Sequence, residues 1–426
     1  MKELVAGTFS KLKKTKILSN FVNLSSIQLS NALLMLLLYP VITRIIGLEA
    51  FGQVMVANAF AGLMGILVNY GTIQTSIKEV AVLKEQKESL SAIVTNTFAI
   101  RLALFTVVAI LLSISGFFIG QYYLFYLLTL PLIFAEVVNP MFIFLGVQNL
   151  RIFNLANLVA KSATVLIIIL FIQGSEDAMW VNFLMGTVLS LTYLFLIARA
   201  TKMYRLHFKW PSHLSQMLIL KGNFYLFFNN IAVHLQQSLM LFALQRWGTP
   251  ELLGAYSLGD KVIWSARMLL ISISSAVYPT SARLFNNNPQ DWIAFKRKVK
   301  ISVGMVFLFG SLFLFLFPEL IIGILIGEPN SIAVLFLRQM ALVPFVAALN
   351  LMNVLDRLLY NDNLSIFKIA MLVFVISAGT SYFLVNTGVH PFYGYYPLII
   401  EACAFIFYEL QIKRKLSGLA ISTQTL

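Results

Sequence analysis

The chain has 426 residues, of which 59% are hydrophobic and 11% charged, and a formal net charge of +14 at pH 7. A soluble domain carries about 25% charge; a chain this poor in charge cannot cover a water-facing surface, so lipid is its solvent. The basic excess invites a nucleic-acid partner, but its distribution along the chain excludes one and assigns it to membrane topology.

A spanning helix needs about 20 apolar residues. Twelve segments of that kind are predicted, near 18–44, 51–73, 92–114, 121–145, 155–173, 179–199, 217–246, 254–281, 299–322, 332–355, 365–386 and 391–412. Two uncharged stretches are too long for one helix each. The first breaks at Ser115-Gly116 and Gly120, the second at Asn386-Thr387-Gly388 and Pro391. Lysine and arginine concentrate in alternate connections. These are the N-terminal tail (Lys2, Lys11, Lys13, Lys14, Lys16), the second loop (Lys78, Lys84, Lys87), the mid-chain linker (Arg199, Lys202, Arg205, Lys209), the eighth loop (Arg283, Lys296, Arg297, Lys298, Lys300) and the C-terminal tail (Lys413, Arg414, Lys415). Basic loops stay in the cytoplasm, so both termini are expected there, with the remaining charge against anionic lipid. The basic N-terminus leads into an apolar run too long for a signal peptide, so no cleavable leader is expected.

The linker divides the helices into two sets of six: 1–199, a cytoplasmic linker 200–216, and 217–426. The halves echo each other. Arg44, Glu49 and Gly52 follow the first segment; Arg246, Glu251 and Gly254 follow the seventh at the same spacing. Each half starts on the same side, so the repeat is parallel, with a pseudo-two-fold axis along the membrane normal and a path for substrate between the halves. The expected class is an all-α integral membrane protein of two six-helix bundles.

Polar residues inside lipid are costly and face an interior or a watery cavity. In the seventh segment Asn223, Phe227, Asn230, His234, Gln237, Leu241 and Gln245 share one helical face. Asn20, Asn23, Ser26 and Ser30 do so in the first, and Asp260, Trp264, Arg267, Ile271, Ser274 and Tyr278 in the eighth. Such stripes bind sugar rings by hydrogen bonds and stacking; they also glue helices together. Asn23, Asn223, Asn230, His234, Gln237, Trp264 and Tyr278 are the candidate lining. Arg267, Arg101, Lys261, Arg44 and Arg246 are candidate cations of the lumen, where arginine's planar fork suits a phosphate. Headgroup snorkelling is the alternative for Arg44 and Arg246, and also for Lys161 and Lys221. Asp260, Glu136 and Glu401 are the acids available as charge partners or as ion-coupling sites.

No metal or cofactor is expected. Cys403 is alone, and His207, His213, His234 and His390 lack ligand spacing. The chain has no Walker-type loop, nucleophile elbow or His-Glu-x-x-His. The expected outer loops are too short for the chemistry of a membrane polymerase or ligase, so a transporter is favoured over an enzyme. A scaffold would not need the polar stripe of the seventh segment.

Several runs resemble a known family. They are Pro40-Val-Ile-Thr-Arg44-Ile-Ile-Gly47-Leu-Glu49-Ala-Phe51-Gly52, Asn69-Tyr70-Gly71, Ser76-Ile-Lys78-Glu79-Val-Ala81, Leu90-Ser91 and Phe144-Leu-Gly146-Val-Gln148. In the second half they are Gly254-Ala-Tyr256-Ser257-Leu-Gly-Asp260-Lys261, Ser274, Tyr278-Pro279 and Leu284-Phe285. In this order they resemble the Wzx-type polysaccharide transporters, the O-antigen flippases. The family often has aspartate where Asn69 stands and arginine where Lys78 stands. The resemblance implies a MATE-like fold and alternating-access export of undecaprenyl-pyrophosphate-linked oligosaccharide, from the cytoplasmic to the periplasmic leaflet of the bacterial inner membrane. Polysaccharide polymerase machinery is the implied protein partner. The competing expectation is a cation-coupled multidrug exporter of the same fold; a basic lumen suits cationic drugs poorly.

Overall fold

The computed structural model describes residues 37–424 except 84, 288 and 361, so Asn23 and its stripe lie outside the described residues. Among the described residues there is no strand. The helices are α1 (Leu37–Ile46), α2 (Leu48–Asn69), α3 (Thr72–Leu83), α4 (Lys87–Ile119), α5 (Tyr123–Leu127), α6 (Leu130–Val137), α7 (Met141–Gly146), α8 (Leu150–Phe171), α9 (Trp180–Tyr204), α10 (His213–Trp247), α11 (Pro250–Asn287), α12 (Pro289–Leu316), α13 (Pro318–Ile326), α14 (Ser331–Met340), α15 (Val343–Leu359), α16 (Asn363–Asn386) and α17 (Tyr396–Gln424). Nine described helices or helix groups are long and apolar enough to cross a membrane. α10 is long enough but is not among them, because its amides and histidine lower its hydropathy.

The predicted segments differ from the helices mainly at prolines. Segment 121–145 is three helices, α5 to α7, with Pro131 in the first turn of α6 and Pro140 just before α7. Segment 332–355 divides into α14 and α15, with Pro344 in the first turn of α15. Segment 299–322 divides at Phe317, and Pro318 opens α13. Proline lacks an N–H and fits best in or just before a first turn, and each of these starts a new helix; Pro279, inside α11, does not. α3 occupies most of the predicted second loop. Thr72, Ser76 and Val80 form its buried face, at a spacing of four, which a hydropathy scan for spanning segments passes over. α4 and α10 to α12 extend beyond the apolar runs, since Lys, Arg, Glu and Gln continue a helix readily.

The chain forms two compact units. One is Ala57–Ile231; the other is the described part of Met35–Val56 and of Ala232–Leu426. The core of the first is aromatic and aliphatic, including Val80, Phe142, Ile143, Phe144, Phe153 and Leu196. There Gly186 of α9 lies against the backbone of Leu132 on α6, and Ser190 donates to the Pro131 carbonyl at 2.8 Å. In the second, Trp292, Phe307, Ala348, Met352 and Leu355 pack together.

The second unit contains a close helix crossing at the glycines of the sequence echo. A Cβ on Gly52 of α2 would stand 2.8 Å from the Gly254 nitrogen of α11, and one on Gly254 would collide with the Leu48 carbonyl. The repeat-related glycines therefore meet each other. Backbone cannot move aside as a side chain can. Gly254→Leu is expected to destabilise by about 1–3 kcal/mol, read as a lower melting temperature in detergent. Gly310→Ala, where a Cβ meets nothing within 4 Å, is the matched control and should not melt lower.

Candidate functional site

The break between α6 and α7 creates the first polar cluster. In an unbroken helix the N–H of residue 140 would bond the carbonyl of residue 136. Residue 140 is proline, so that carbonyl has no backbone partner inside an apolar bundle. Arg101 of α4 replaces the missing donor. Its Nη1 donates to the carbonyl of Glu136 at 3.3 Å and to that of Asn139 at 2.9 Å. Its Nε donates to Thr72 Oγ1 at 2.8 Å, and the guanidinium lies 5.2 Å from the Phe142 ring centroid. Arg101 is 0% exposed. Expected from sequence to meet an anion in a lumen, it holds Thr72 and the two carbonyls through Nε and Nη1, while its Nη2 is buried without a hydrogen-bond partner.

In front of this clamp lies a polar cavity of about 360 Å³ within the first unit. Its polar lining is Asn58, Asn69, Gln74, Glu136 and Asn230, and Gly62, Gly65 and Gly71 bare the backbone. Asn69 Nδ2 donates to Glu136 Oε2 at 3.2 Å, and Asn139 Nδ2 approaches the same oxygen at 3.5 Å. Asn58 donates to Asn182 Oδ1 at 3.2 Å. Gly71 holds φ +71°, in the tight turn that carries the chain from α2 into α3. Asn223, buried on α10, donates to Thr75 Oγ1 at 3.3 Å.

Of the residues picked from sequence, Glu136 and Asn230 line this cavity and Arg101 stands behind Glu136. Asn58, Asn69 and Gln74 were missed. A signal for two of them existed: Asn58, Gly62, Gly65 and Asn69 recur at helical spacing on one face of α2.

The remaining candidates belong to the second unit, where the charges are mostly paired. Arg267 of α11 binds Glu401 of α17 at 2.8 Å. Lys261 binds its neighbour Asp260 at 3.3 Å. Asp260, a possible partner for either cation from sequence, thus serves Lys261. Arg44 Nη2 donates to the Ile324 carbonyl, and Arg246 is exposed at the C-terminal end of α10. His234 Nε2 lies 3.4 Å from Ser238 Oγ. Gln237 and Trp264 are half-buried, and Tyr278 is exposed. α10 passes from one unit into the other, so Asn223 and Asn230 belong to the first and His234 and Gln237 to the second. Among the described residues no cluster of His, Cys, Asp or Glu is placed to hold a metal.

A family model described as polysaccharide biosynthesis protein matches residues 17–285. An Escherichia coli (strain K12) protein, provisionally named an O-antigen transporter, is 22% identical over 79% of this chain and 82% of its own. An inward-facing MATE-family multidrug transporter of the MOP superfamily superposes with a TM-score of 0.69 at 14% identity, covering 90% of this chain and 95% of that one. An outward-facing MATE-family multidrug transporter of the MOP superfamily gives 0.64 at 15%, over 93% and 96%. The helices that bury amides and arginine in lipid are thus those of a MATE-like, multi-pass, all-α membrane protein, and the chain belongs to the polysaccharide biosynthesis protein family.

Proposed function

We propose that this protein is a flippase that moves undecaprenyl-pyrophosphate-linked oligosaccharide from the cytoplasmic to the periplasmic leaflet of the bacterial inner membrane by alternating access. The observation that carries this reading is the cavity lined by Asn58, Asn69, Gln74 and Asn230. Each amide offers donors and an acceptor, which suits the mixed hydroxyls of a sugar. Its volume, about 360 Å³, falls within the range of small-molecule sites, about 300–1,000 Å³. No bond need be made or broken; the task is to carry a polar headgroup across ~30 Å of hydrocarbon. Lys261, Arg267, Arg44 and Arg246 are the cations left for the pyrophosphate, Arg267 by exchanging Glu401 for it during the cycle. Fold neighbours in inward- and outward-facing forms support the alternating cycle. In this reading both termini lie in the cytoplasm, and polymerase machinery takes the delivered unit.

The first test is deletion in the native host, with analysis of lipid-linked sugars and surface polysaccharide. Loss of surface glycan, with repeat units held on the cytoplasmic face, is expected. Unchanged glycan with new drug sensitivity would favour the cation-coupled multidrug exporter, which the Glu136 carboxylate in the cavity and the multidrug fold neighbours also suit. A second test removes two cavity amides. Gln74→Leu with Asn230→Leu should cost about 1–2 kcal/mol of sugar binding, about tenfold in export at limiting substrate, with melting unchanged. Undiminished export from this variant would take the sugar out of the cavity.

A further inference from the structure

The first unit holds a second, apolar cavity of about 610 Å³ that the proposed transport leaves unused. Val94, Phe98 and Leu102 of α4 form one wall at helical spacing, and Val137 of α6 and Ile197 of α9 form others. The last wall is the segment from Leu206 to Pro211 that follows α9. This segment is strapped across α4. The His207 N–H donates to Ser91 Oγ at 3.1 Å, the Ser212 N–H to Asn96 Oδ1 at 2.9 Å, and Lys209 pairs with Glu88 at 3.2 Å. Arg205, with φ +51°, turns the chain from α9 into the strap.

Three features identify the occupant. Leu102 is 51% exposed, at the edge of the broad apolar arc of α4 that also exposes Val107, Ile110, Leu111 and Ile114, so the cavity reaches the surface that meets lipid. Phe208 and Trp210 on the strap are 72% and 88% exposed, the placement of aromatic side chains at a membrane–water boundary. The sequence around the strap carries Arg199, Lys202, Arg205 and Lys209 against the one acid that pairs with it, Glu88. An apolar cavity beside lipid, next to a helix end that exposes Arg199, Lys202 and Arg205, complements a chain with an anionic head. We propose that the cavity takes one acyl chain of an anionic phospholipid, whose headgroup lies against the basic strap. The chain supplies the contacts that an empty cavity forgoes, and the head fastens the connection between α9 and α10.

The test uses the full-length protein in lipid nanodiscs. Phosphatidylglycerol with a photoactivatable group midway along one acyl chain is compared with phosphatidylcholine carrying the same chain. Phosphatidylglycerol should label peptides spanning 94–102 and 206–211, about fivefold or more above phosphatidylcholine. Ala99→Trp, which fills the cavity from α4, should remove that label. Lys202→Gln with Lys209→Gln, outside the packed core, should cut it about tenfold, and this pair decides the matter if Ala99→Trp does not fold. Equal labelling by the two lipids, or label unchanged in a well-folded Ala99→Trp protein, overturns the proposal. Displacement of the phosphatidylglycerol probe by equimolar undecaprenyl phosphate also overturns it, and gives the cavity to an isoprenoid tail.

Discussion

Arg101→Leu is expected to destroy export by unfolding the first unit rather than by losing a substrate contact. The substitution strips donors from Thr72 Oγ1 and from the carbonyls of Glu136 and Asn139. Pro140 cannot return one of those donors, and neither can lipid. It also leaves the Glu136 carboxylate without the nearby cation. Removing one member of a buried charged network costs about 3–5 kcal/mol, much of the stability of a typical domain. The measurement is membrane abundance together with melting in detergent, both of which should fall sharply. Arg101→Lys should not rescue, because an ammonium cannot span two carbonyls and a hydroxyl as a planar fork does. Wild-type melting with export lost would return Arg101 to the role of anion ligand.

The ion pair of Arg267 with Glu401 separates stability from transport. Its members lie on α11 and α17, 2.8 Å apart and mostly buried. Glu401→Gln leaves the guanidinium without its counter-charge in a membrane segment, a cost of about 2.5–3.5 kcal/mol. Arg267→Gln should cost a similar amount for the opposite reason. The double variant, with no charge at either position, should recover most of the melting temperature. It should not recover export, because the proposed pyrophosphate contact is gone with Arg267. A double variant that both folds and exports would show that the pair is only structural.

Much of the architecture was legible because lipid imposes simple rules. Apolar length placed the segments, and the charge-poor composition named the solvent. Prolines were visible too, but their effect was not followed through. Pro131, Pro140, Pro318 and Pro344 each open a new helix where one continuous span was predicted. The site was legible in part. The depth of Arg101 and Arg267 in apolar sequence marked both as unusual. What each binds depends on neighbours remote in sequence, 134 residues away for Arg267. A cation in a span can hold a solute, an acid or an orphaned carbonyl, and only the packing separates these. The Asn58 stripe was missed because its glycines break the polar pattern by eye, although the bare backbone belongs to the same face. Asn69 shows why an amide rather than an acid matters at this position. As an amide it donates to Glu136; an aspartate there would set two carboxylates side by side.

The meeting of Gly52 with Gly254 bears on how such a chain can change over generations. Equivalent positions in contact behave like a residue on the axis of an isologous dimer, where each copy faces itself. In two identical chains, one mutation would put two side chains into this crossing at once, and none larger than hydrogen would fit. Once both copies sit in a single chain the positions are inherited separately. One can enlarge if α2 or α11 yields by a small shift, while the other stays glycine. The crossing is then a place where two facing glycines, unlike matched positions of a homodimer, can change one at a time.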